Sequence, residues 1–452
     1  MAEVKLNILI SGITSDSSSL FVSLYKYLKV CGHEVLFIIP EYSGAVSLIE
    51  QEIPFIRLKQ IKNGNKLGTD ESKILEKCLF YDLKQIAFFS SIIKGIKTKQ
   101  ILKDGSRLFN AYSKYLDNNK VDLIILWGGI RYYSSIPAAI AKLKNIKCIF
   151  IEKGLFPFTL QVDDTGVNAS SQLKNEFGSI SSGSLSHSLE FYQSQLKQQW
   201  YFSQPLNSIS TLIKIKCLIN DYGLLELFVK IFHKCFDTKL LKKFTYKDYW
   251  KVTDPISTSE SINYSEYIFI PFQVSDDSQL LVQGNWIKDN ISLVESVWRS
   301  LKELGFKIKI VVKEHPREYV NYSFEEKLSK YDVLFSNAGT AELILKSKLI
   351  VTINSTVGFE AVVFNKPVVI TGNAFYESIP FVLKSNNQAE LTSNLKKVLM
   401  SDRNFEEREV NKYVSTVYNK LVKCNYVSTG ATEIDNLWQY IYNLHTTNIK
   451  LT

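Results

Sequence analysis

The sequence predicts an α/β protein built from two Rossmann-like domains, each containing a parallel sheet. Two observations predict this class. Short apolar runs alternate with segments of helical periodicity, and this rhythm breaks down at about 246–265 before it starts again. In that interval Thr, Ser, Asp and Pro replace the periodic pattern, so we expect the domain linker there. A length of 452 residues allows two or three domains that each bury a core.

The first half opens as a βαβ unit, with a strand at 6–12, a helix at 17–30 and a strand at 33–40. Gly12 begins a small polar loop at the carboxyl end of the first strand, where open α/β sheets bind ligands. The Gly-x-Gly-x-x-Gly pattern is absent there, so dinucleotide binding gains little support. The later elements predicted in this half are a Lys-rich helical stretch at about 70–118, strands at 121–129 and 146–154 around a helix at 134–144, a long loop at 155–185 and helices within 185–245.

The second half repeats the alternation. Strands are predicted at 267–274, 307–316, 332–336, 349–354 and 367–372, helices at 290–304, near 323–330, and at 339–346 and 357–365, and terminal helices at about 388–420 and 431–445. Strands separated by helices of this length imply a parallel sheet. Two such sheets facing a cleft form the GT-B architecture of many glycosyltransferases and of some epimerases. The predicted domains are 1–250, with a helical insert, and 262–430, and a C-terminal helix in 431–452 is expected to pack on the first domain.

Composition narrows the functional classes. The net charge of +9 is too small to indicate nucleic-acid binding, although it permits anionic substrates or an anionic membrane surface. The first residues lack the pattern of a signal peptide, and no window of about 18 uncharged apolar residues occurs, so we expect a cytoplasmic protein. The six cysteines include no C-x-x-C pair, which argues against a zinc knuckle or a redox motif and favours a reducing compartment.

Four polar stretches lie at the carboxyl ends of predicted strands. The first begins with Glu152, and it continues to the turn-like sequence 163–168. A carboxylate just past a strand can point into a cleft, where burial would raise its pKa into the range useful for acid–base catalysis. Alternatively, Glu152 is a surface charge and Asp163-Asp164-Thr165-Gly166 is a simple turn. Lys153, Asp163 and Asn168, together with the Gly12 loop, are candidates for an acceptor-binding region.

The second stretch, 271–279, places Asp276 and Asp277 after the strand that opens the second domain. These acids should face the interdomain cleft. They could also hold a divalent cation, because hard ions prefer carboxylate ligands. A third interpretation is that one of them caps the helix that follows.

The third stretch places His315 between basic residues at the end of a strand, where Pro316 biases the histidine to an extended backbone. Lys313 and Arg317 complete a group that suits an anion. The alternative is a histidine whose hydrogen bonds serve only the loop.

In the fourth stretch, 354–361, a strand runs through Asn354 into Ser355-Thr356 and a helix begins. Free N–H groups, two hydroxyls and the positive end of the helix dipole meet there, which is typical of a phosphate pocket. Glu360, one turn further on, could hold ribose hydroxyls. Ser355 could instead be only an N-cap, with Glu360 solvated.

In order and placement, EKGLFPFTLQVDDTGVN, PFQVSDDSQ, KEHPRE and NSTVGFEAVVFNKPVVITGNAFY resemble the capsule polysaccharide biosynthesis family of bacterial β-Kdo glycosyltransferases. The resemblance covers most of about 150–376, and a long insert between Asn168 and Tyr267 departs from it. It implies a GT-B enzyme that uses a CMP-activated 3-deoxy-ulosonic acid and retains the anomeric configuration.

The same resemblance assigns roles to residues. It implies that His315-Pro316 and Ser355-Thr356 hold the nucleotide. The spacing from Gln273 to Asp277 and Gln279 matches the family pattern, so Asp277, rather than Asp276, would be the nucleophile. Glu152 would then be the acid–base residue.

The sequence therefore predicts a retaining glycosyltransferase that moves Kdo or a related ulosonic acid from CMP-Kdo to a polysaccharide or glycolipid. A leaving group with a single phosphate needs little neutralisation, so Lys313, His315, Arg317 and a helix N-terminus should suffice without a metal or another cofactor. No nucleic-acid partner is expected. Two alternatives stay open: an inverting transferase of the CMP-sialic-acid type with the same fold, and a non-catalytic, glycan-binding partner in capsule assembly or export.

A basic segment at 214–251 offers a further surface. It contains nine Lys and four acidic residues, for a net charge of +5, with apolar and aromatic residues interleaved. Such a segment could contact anionic lipid and hold the protein peripherally at the inner membrane. The alternative is a solvated helix face over an ordinary core stripe.

Overall fold

The computed structural model describes residues 4–14, 17–39, 45–57, 67–85, 98–177, 186–197, 266–316, 318, 324–401, 405–426 and 429–447. These residues form two compact units. Unit 1 comprises the described residues of 4–167 and 421–447, and unit 2 comprises those of 168–197 and 266–420. The predicted linker at 246–265 and the basic segment 214–251 lie outside the described residues.

Unit 1 contains a seven-stranded sheet. Its strands are β1 (Asn7–Ser11), β2 (Glu34–Ile39), β3 (Phe55–Arg57), β4 (Leu123–Trp127), β5 (Lys147–Lys153), β6 (Thr159–Asp163) and β13 (Leu421–Lys423). They lie in the order β13-β6-β5-β4-β1-β2-β3. The strands from β3 to β5 are parallel, whereas β6 is antiparallel to β5 and to β13. The helices are α1 (Ser18–Val30), α2 (Val46–Glu50), α3 (Thr69–Cys78), α4 (Thr98–Asn118), α5 (Tyr132–Leu143) and α15 (Ala431–Thr447).

Helices cover both faces of this sheet. Every residue of β4 is buried, as expected for a central parallel strand between two helical layers. The core on one face joins the strands to α1 and α15, and the core on the other face joins them to α4 and α5. The single helical stretch predicted at 70–118 is divided, because α3 ends at Cys78, Leu79 is a turn residue, and helical residues resume at 80–85 and again in α4 from Thr98.

The long loop predicted at 155–185 is wrong in part, because it contains β6. This strand returns along β5 as a hairpin, with Glu152 opposite Gln161. The turn needs a glycine, since a Cβ on Gly154 would lie 2.1 Å from Thr159 Oγ1. Glu152 therefore lies within β5, inside the strand predicted at 146–154, and not just past a strand as its acid–base interpretation assumed. The five residues of β6, TLQVD, do alternate polar and apolar side chains, but they lie in a Ser-, Thr-, Asp- and Gly-rich region whose composition favours a loop.

The C-terminal segment completes unit 1. Strand β13 pairs with β6, and α15 packs on α1, where the Tyr27 hydroxyl donates a hydrogen bond to Asp435 and the His33 ring lies 4.8 Å from the Trp438 ring. The boundary between the units thus falls at 420–421, ten residues earlier than the predicted end of the second domain.

Unit 2 contains six parallel strands in the order β12-β11-β10-β7-β8-β9. They are β7 (Tyr267–Pro271), β8 (Lys309–Lys313), β9 (Val333–Phe335), β10 (Leu349–Thr352), β11 (Val368–Ile370) and β12 (Val382–Lys384). The helices are α6 (Leu173–Glu176), α7 (Leu189–Lys197), α8 (Ser278–Gln283), α9 (Asn290–Leu304), α10 (Phe324–Leu328), α11 (Thr340–Lys346), α12 (Thr356–Val363), α13 (Gln388–Leu399) and α14 (Glu407–Lys420), with short 3-10 helices at Asn168–Ser170 and Ser329–Tyr331.

The described residues of 168–197 belong to unit 2 and not, as the sequence suggested, to the first domain. Two contacts of α7 show the reason. The Gln193 amide donates to the Val363 carbonyl at 3.0 Å, and the hydroxyls of Tyr192 and Ser415 lie 3.1 Å apart.

The strand orders confirm the predicted fold class of two Rossmann-like units with parallel sheets, as in GT-B proteins. In unit 2 the chain builds outward from β7 to one edge and then from β10 to the other, which is the doubly wound order. The loops after β7 and β10 therefore diverge and leave a crevice, the topological switch point. The equivalent point in unit 1 lies between β1 and β4. Across the described ranges, no helix has the length and apolar character needed to cross a membrane.

Candidate active site

The switch point of unit 2 is spanned by two amide side chains. Gln273 follows β7 and Asn354 follows β10, each two residues past the end of its strand. The Gln273 Nε2 donates to Asn354 Oδ1 at 2.9 Å, and the Asn354 backbone N–H donates to Gln273 Oε1 at 3.3 Å. Each residue is only 5% exposed, so the pair fixes the distance between the two diverging loops.

A pocket lies at this switch point, and all of its lining residues belong to unit 2. Seven of them are residues that the sequence nominates as donor-binding, catalytic or acceptor-loop residues: Asn168, Gln273, Asp277, His315, Asn354, Ser355 and Thr356. The others are Ala169, Gln279, Ala374 and Phe375. Loops after four different strands of unit 2, namely β7, β8, β10 and β11, thus meet at one place.

Asp277 is both a pocket residue and a helix cap. Its Oδ1 accepts the Gln279 backbone N–H at 2.8 Å, so the N-cap interpretation of the Asp276-Asp277 pair is confirmed for this member. Burial raises the pKa of the Asp277 carboxyl above its usual value and the Asp276 charge raises it further, while the hydrogen bond from Gln279 opposes both effects. The pocket therefore contains a desolvated carboxylate in a fixed orientation.

Ser355 likewise caps a helix. Its Oγ accepts the Val357 N–H at 3.3 Å, which confirms the N-cap interpretation, and its carbonyl accepts the Tyr376 hydroxyl. Gly358 makes room for that tyrosine, because a Cβ there would lie 2.2 Å from the phenol oxygen. The first turn of α12 directs its unsatisfied N–H groups and the positive end of its dipole toward Ser355-Thr356. This end of the pocket is suited to an anion.

Among the described residues of the stretch 313–318, only His315 lines the pocket. Lys313 turns away: its Nζ donates to the Ala338 carbonyl at 2.7 Å and to Thr340 Oγ1 at 3.3 Å. Burial lowers the pKa of Lys313, and the charge of Glu360 opposes that shift. Pro316 is exposed, and Arg317 lies outside the described residues.

Glu360 is absent from the described lining of the pocket. Burial raises the pKa of its carboxyl to about 7, and the Lys313 charge partly offsets that rise. Burial also raises the pKa of the Tyr376 phenol, and the negative charge of Glu360 raises that pKa further. Glu360 therefore interacts electrostatically with groups next to the pocket residues, and its predicted contact with ribose stays a prediction.

The remaining nominated residues belong to unit 1. Asp163 forms the predicted turn, since its Oδ1 accepts both the backbone N–H and the hydroxyl of Thr165 at 2.7 Å. Glu152 Oε1 accepts the Lys153 backbone N–H at 3.0 Å, and the Lys153 ammonium lies 5.4 Å from the centre of the Tyr426 ring.

Gly12 closes the switch point of unit 1. It has a left-handed backbone with φ of 74°, and a Cβ there would lie 2.3 Å from Ser134 Oγ and 2.9 Å from the Trp127 carbonyl oxygen. Its loop therefore approaches the end of β4 too closely to leave room for a side chain.

Two buried residues of the site escaped sequence analysis. Asn290, at the start of α9, holds the Gln273 backbone from both sides: its Oδ1 accepts the Gln273 N–H at 3.1 Å and its Nδ2 donates to the Gln273 carbonyl at 2.8 Å. Glu318 accepts both the N–H and the hydroxyl of Ser275. Glu318 is the last residue of the KEHPRE motif, and this position in the motif was the only sequence signal that could have identified it as a site residue.

The pocket combines three chemical functions. Asp277 supplies a carboxylate, His315 an imidazole, and α12 a helix N-terminus flanked by two hydroxyls. Such a site can bind a phosphate and place a nucleophile or a base beside it. Within the described ranges, no group of three or more His, Cys, Asp and Glu side chains is arranged to hold a metal ion.

These features define the class as a two-unit α/β protein whose second, doubly wound unit carries a polar pocket, suited to an anion, at its switch point. The chain belongs to the capsule polysaccharide biosynthesis protein family, which matches residues 122–397, more than half of its length.

Known relatives are distant in sequence. Protein FixF of Sinorhizobium fredii is 25% identical over 397 residues, which cover 78% of this chain and 84% of FixF. The capsule polysaccharide modification protein LipB of Neisseria meningitidis is 23% identical over 301 residues, which cover 61% of this chain and 69% of LipB. Among solved structures, the β-Kdo 2,7 transferase of Thermosulfurimonas dismutans KpsC aligns over 77% of this chain and 87% of its own, with 15% identity and a TM-score of 0.33. The strand order, and not this last likeness, defines the fold.

Proposed function

We propose that this protein is a retaining glycosyltransferase that transfers Kdo or a related ulosonic acid from its CMP-activated donor to a polysaccharide or glycolipid. The observation that carries the proposal is the convergence of Asp277, His315 and the N-terminus of α12 on one pocket at a switch point. Membership in a capsule biosynthesis family supports the choice of a surface glycan as product. We further propose that it acts in the cytoplasm, peripherally at the inner membrane.

The donor phosphate would bind between His315 and Ser355-Thr356. Donation from the first turn of α12 and a charge-assisted hydrogen bond from the imidazole can stabilise one phosphate. A nucleoside monophosphate leaving group matches this modest set of donors better than a diphosphate. The small number of phosphate-binding groups therefore supports a CMP-linked donor.

Transfer would proceed by two displacements. The Asp277 carboxylate attacks the anomeric carbon while the bond from that carbon to the CMP phosphate oxygen breaks, and CMP leaves with the bonding electrons. An acceptor hydroxyl then attacks the same carbon and releases Asp277, and its proton passes to Glu152 as general base. Each displacement inverts the configuration, so the product retains that of the donor.

The test has two parts. CMP should raise the melting temperature of the protein by ligand linkage, whereas UDP and GDP should do little. Proton NMR of the product made from CMP-Kdo and an acceptor panel should then show the retained anomer. Stronger stabilisation by UDP would exclude the CMP assignment, an inverted anomer would support the CMP-sialic-acid-type alternative, and glycan binding without turnover would support the non-catalytic one.

Metal independence is part of the proposal. Because a single phosphate leaves, turnover should continue at its normal rate in excess EDTA. Activity that chelation abolishes and magnesium or manganese restores would reassign Asp276 and Asp277 as metal ligands.

A further inference from the structure

Glu318 connects the two loops that carry Asp277 and His315. Its Oε2 accepts the Ser275 backbone N–H at 2.9 Å and the Ser275 hydroxyl at 2.8 Å, while its own backbone N–H donates to the His315 carbonyl at 2.9 Å. Glu318 is 4% exposed, so water competes little for these bonds. A buried carboxylate requires such partners, because a charge buried without hydrogen-bond donors is strongly unfavourable.

The connected loops leave adjacent strands. Strands β7 and β8 are paired up to Pro271 and Lys313, and the Phe272 N–H donates to the Lys313 carbonyl at 2.9 Å. Beyond that point the chains separate, and the Asp277 N–H donates to the Val274 carbonyl at 3.0 Å to form a tight turn. Ser275 lies inside this turn, so the Glu318 side chain fixes the segment that presents Asp277 to the pocket.

We propose that Glu318 is a positioning residue, which orients the Asp277 turn relative to His315; this role rests on the proposed transferase function. The bridge has two ends with different chemistry. The end at Ser275 is made by the side chain, whereas the end at His315 is made by the backbone N–H, which any residue at 318 retains. Replacing the side chain therefore releases the Asp277 turn and leaves the His315 loop tied.

This asymmetry predicts a separation between catalysis and nucleotide binding. Glu318→Ala should lower kcat by roughly tenfold to a hundredfold, because a nucleophile displaced by about 1 Å loses that much. The Kd for CMP should stay within about twofold of wild type. Glu318→Gln keeps an oxygen that can accept both Ser275 donors, so it should recover most of the lost kcat.

Ser275 supplies an independent check on the mechanism. Ser275→Ala removes the hydroxyl bond but keeps the backbone N–H, so its loss in kcat should be smaller than that of Glu318→Ala. If the glutamate acts through Ser275, the double variant should be no worse than Glu318→Ala alone. Additive losses would mean that Glu318 acts by another route, and the proposal would fail.

Hydrogen exchange tests the bridge without any substrate. Peptides that cover 273–279 should exchange faster in Glu318→Ala than in wild type, because Ser275 loses the acceptor for its amide. Glu295→Ala is the matched control: it removes the acceptor for the Tyr331 hydroxyl elsewhere in unit 2 and should leave these peptides unchanged.

The outcomes separate the two proposals. An active wild type together with a Glu318→Ala variant of normal kcat would overturn the positioning role alone. A wild type that neither binds CMP nor catalyses transfer would overturn the proposed function and, with it, the positioning role, whatever the exchange data show about the bridge. A variant that loses CMP affinity in proportion to kcat would also contradict the proposal, since the side chain would then support the whole site.

Discussion

The two units contain the same topological feature in two different chemical forms. At the switch point of unit 1, Gly12 and Gly128 follow β1 and β4 with left-handed φ values of 74° and 70°, and the backbones lie close together. At the switch point of unit 2, Gln273 and Asn354 occupy the corresponding region and join the loops through their side chains. The order that the central strands share therefore determines where the loops part, while the residues at that position determine what the space can hold.

The difference affects the helices that follow. In unit 1, Ser134 Oγ donates to the Trp127 carbonyl at 2.8 Å, so a hydroxyl that could face a ligand is used to close the gap. In unit 2, the Tyr376 hydroxyl donates a hydrogen bond to the Ser355 carbonyl. Ser355 and Thr356 line the pocket. A doubly wound sheet supplies a crevice in principle, and small residues can close it. We expect the donor to bind unit 2 for this reason.

The largest expected effect concerns Asp277. Asp277→Asn should lower turnover at least about a thousandfold, roughly 4 kcal/mol of barrier, because an amide cannot act as the nucleophile. Asparagine caps helices as well as aspartate does, so α8 and the melting temperature should change little. Steady-state kinetics measures the loss, and mass spectrometry of the wild type with donor alone should show a Kdo-sized adduct on the Asp277 peptide.

Asp276→Asn is the matched control for that variant. It removes a neighbouring carboxylate, does not touch the cap on Gln279, and should cost less than about tenfold in turnover. A nearly normal Asp277→Asn enzyme beside an inactive Asp276→Asn enzyme would show that the wrong carboxylate had been chosen.

The next effect concerns the closed switch point of unit 1. Gly12→Ala should destabilise the protein by about 3 kcal/mol, because it combines an unfavourable backbone with a Cβ 2.3 Å from Ser134 Oγ. Gly32→Ala separates the two causes: Gly32 has φ of 84°, but no atom lies within 4 Å of a Cβ placed there, so only about 1 kcal/mol should be lost. Urea unfolding measures both. Equal losses would show that the close approach at Gly12 is not rigid.

The sequence predicted the positions of most strands and most pocket residues for a simple reason. Buried parallel strands are continuous apolar runs, and residues just after such runs must gather at one edge of the sheet. Asp277, His315 and Ser355 were found in this way.

Other features depended on information that no local pattern contains. Lys313 and His315 lie two residues apart in sequence, but the Lys313 side chain reaches toward the loop after β9, and only the sheet order reveals this. The bonds from Gln273 to Asn354 and from Ser275 to Glu318 likewise depend on the register of strands far apart in the chain. The β5–β6 hairpin was missed because its second strand has only five residues and lies in a Ser-, Thr-, Asp- and Gly-rich region whose composition favours a loop.

A smaller effect is expected at the end of the unit 2 pocket that we propose binds the donor phosphate. His315→Ala should weaken CMP binding by about 1.5–3 kcal/mol, which is the contribution of a hydrogen bond to a charged group. Calorimetric titration measures this loss directly. His187→Ala is the control, because His187 stacks on Phe191 in the same unit at 4.1 Å and is not a pocket residue. Equal CMP affinity in wild type and His315→Ala would remove the imidazole from the phosphate site.

The smallest effect concerns Glu360, a buried charge near the open switch point. Its folded-state pKa is raised to about 7 by burial, from an ordinary value of 4.5, so the folded protein binds this proton more tightly than the unfolded chain does. The resulting stabilisation is complete below about pH 4.5 and is lost as the pH rises through about 7. Glu360→Gln mimics the protonated form at every pH. We therefore expect the free energy of unfolding of wild type to fall by about 1–2 kcal/mol relative to that of Glu360→Gln between pH 5 and pH 8. This is less than the full pKa shift implies, because solvent partly screens the carboxyl.

Denaturant unfolding at several pH values provides the measurement. Parallel stability curves for the two proteins would mean that Glu360 is well solvated, and this charge would then no longer distinguish the open switch point of unit 2 from the closed one of unit 1.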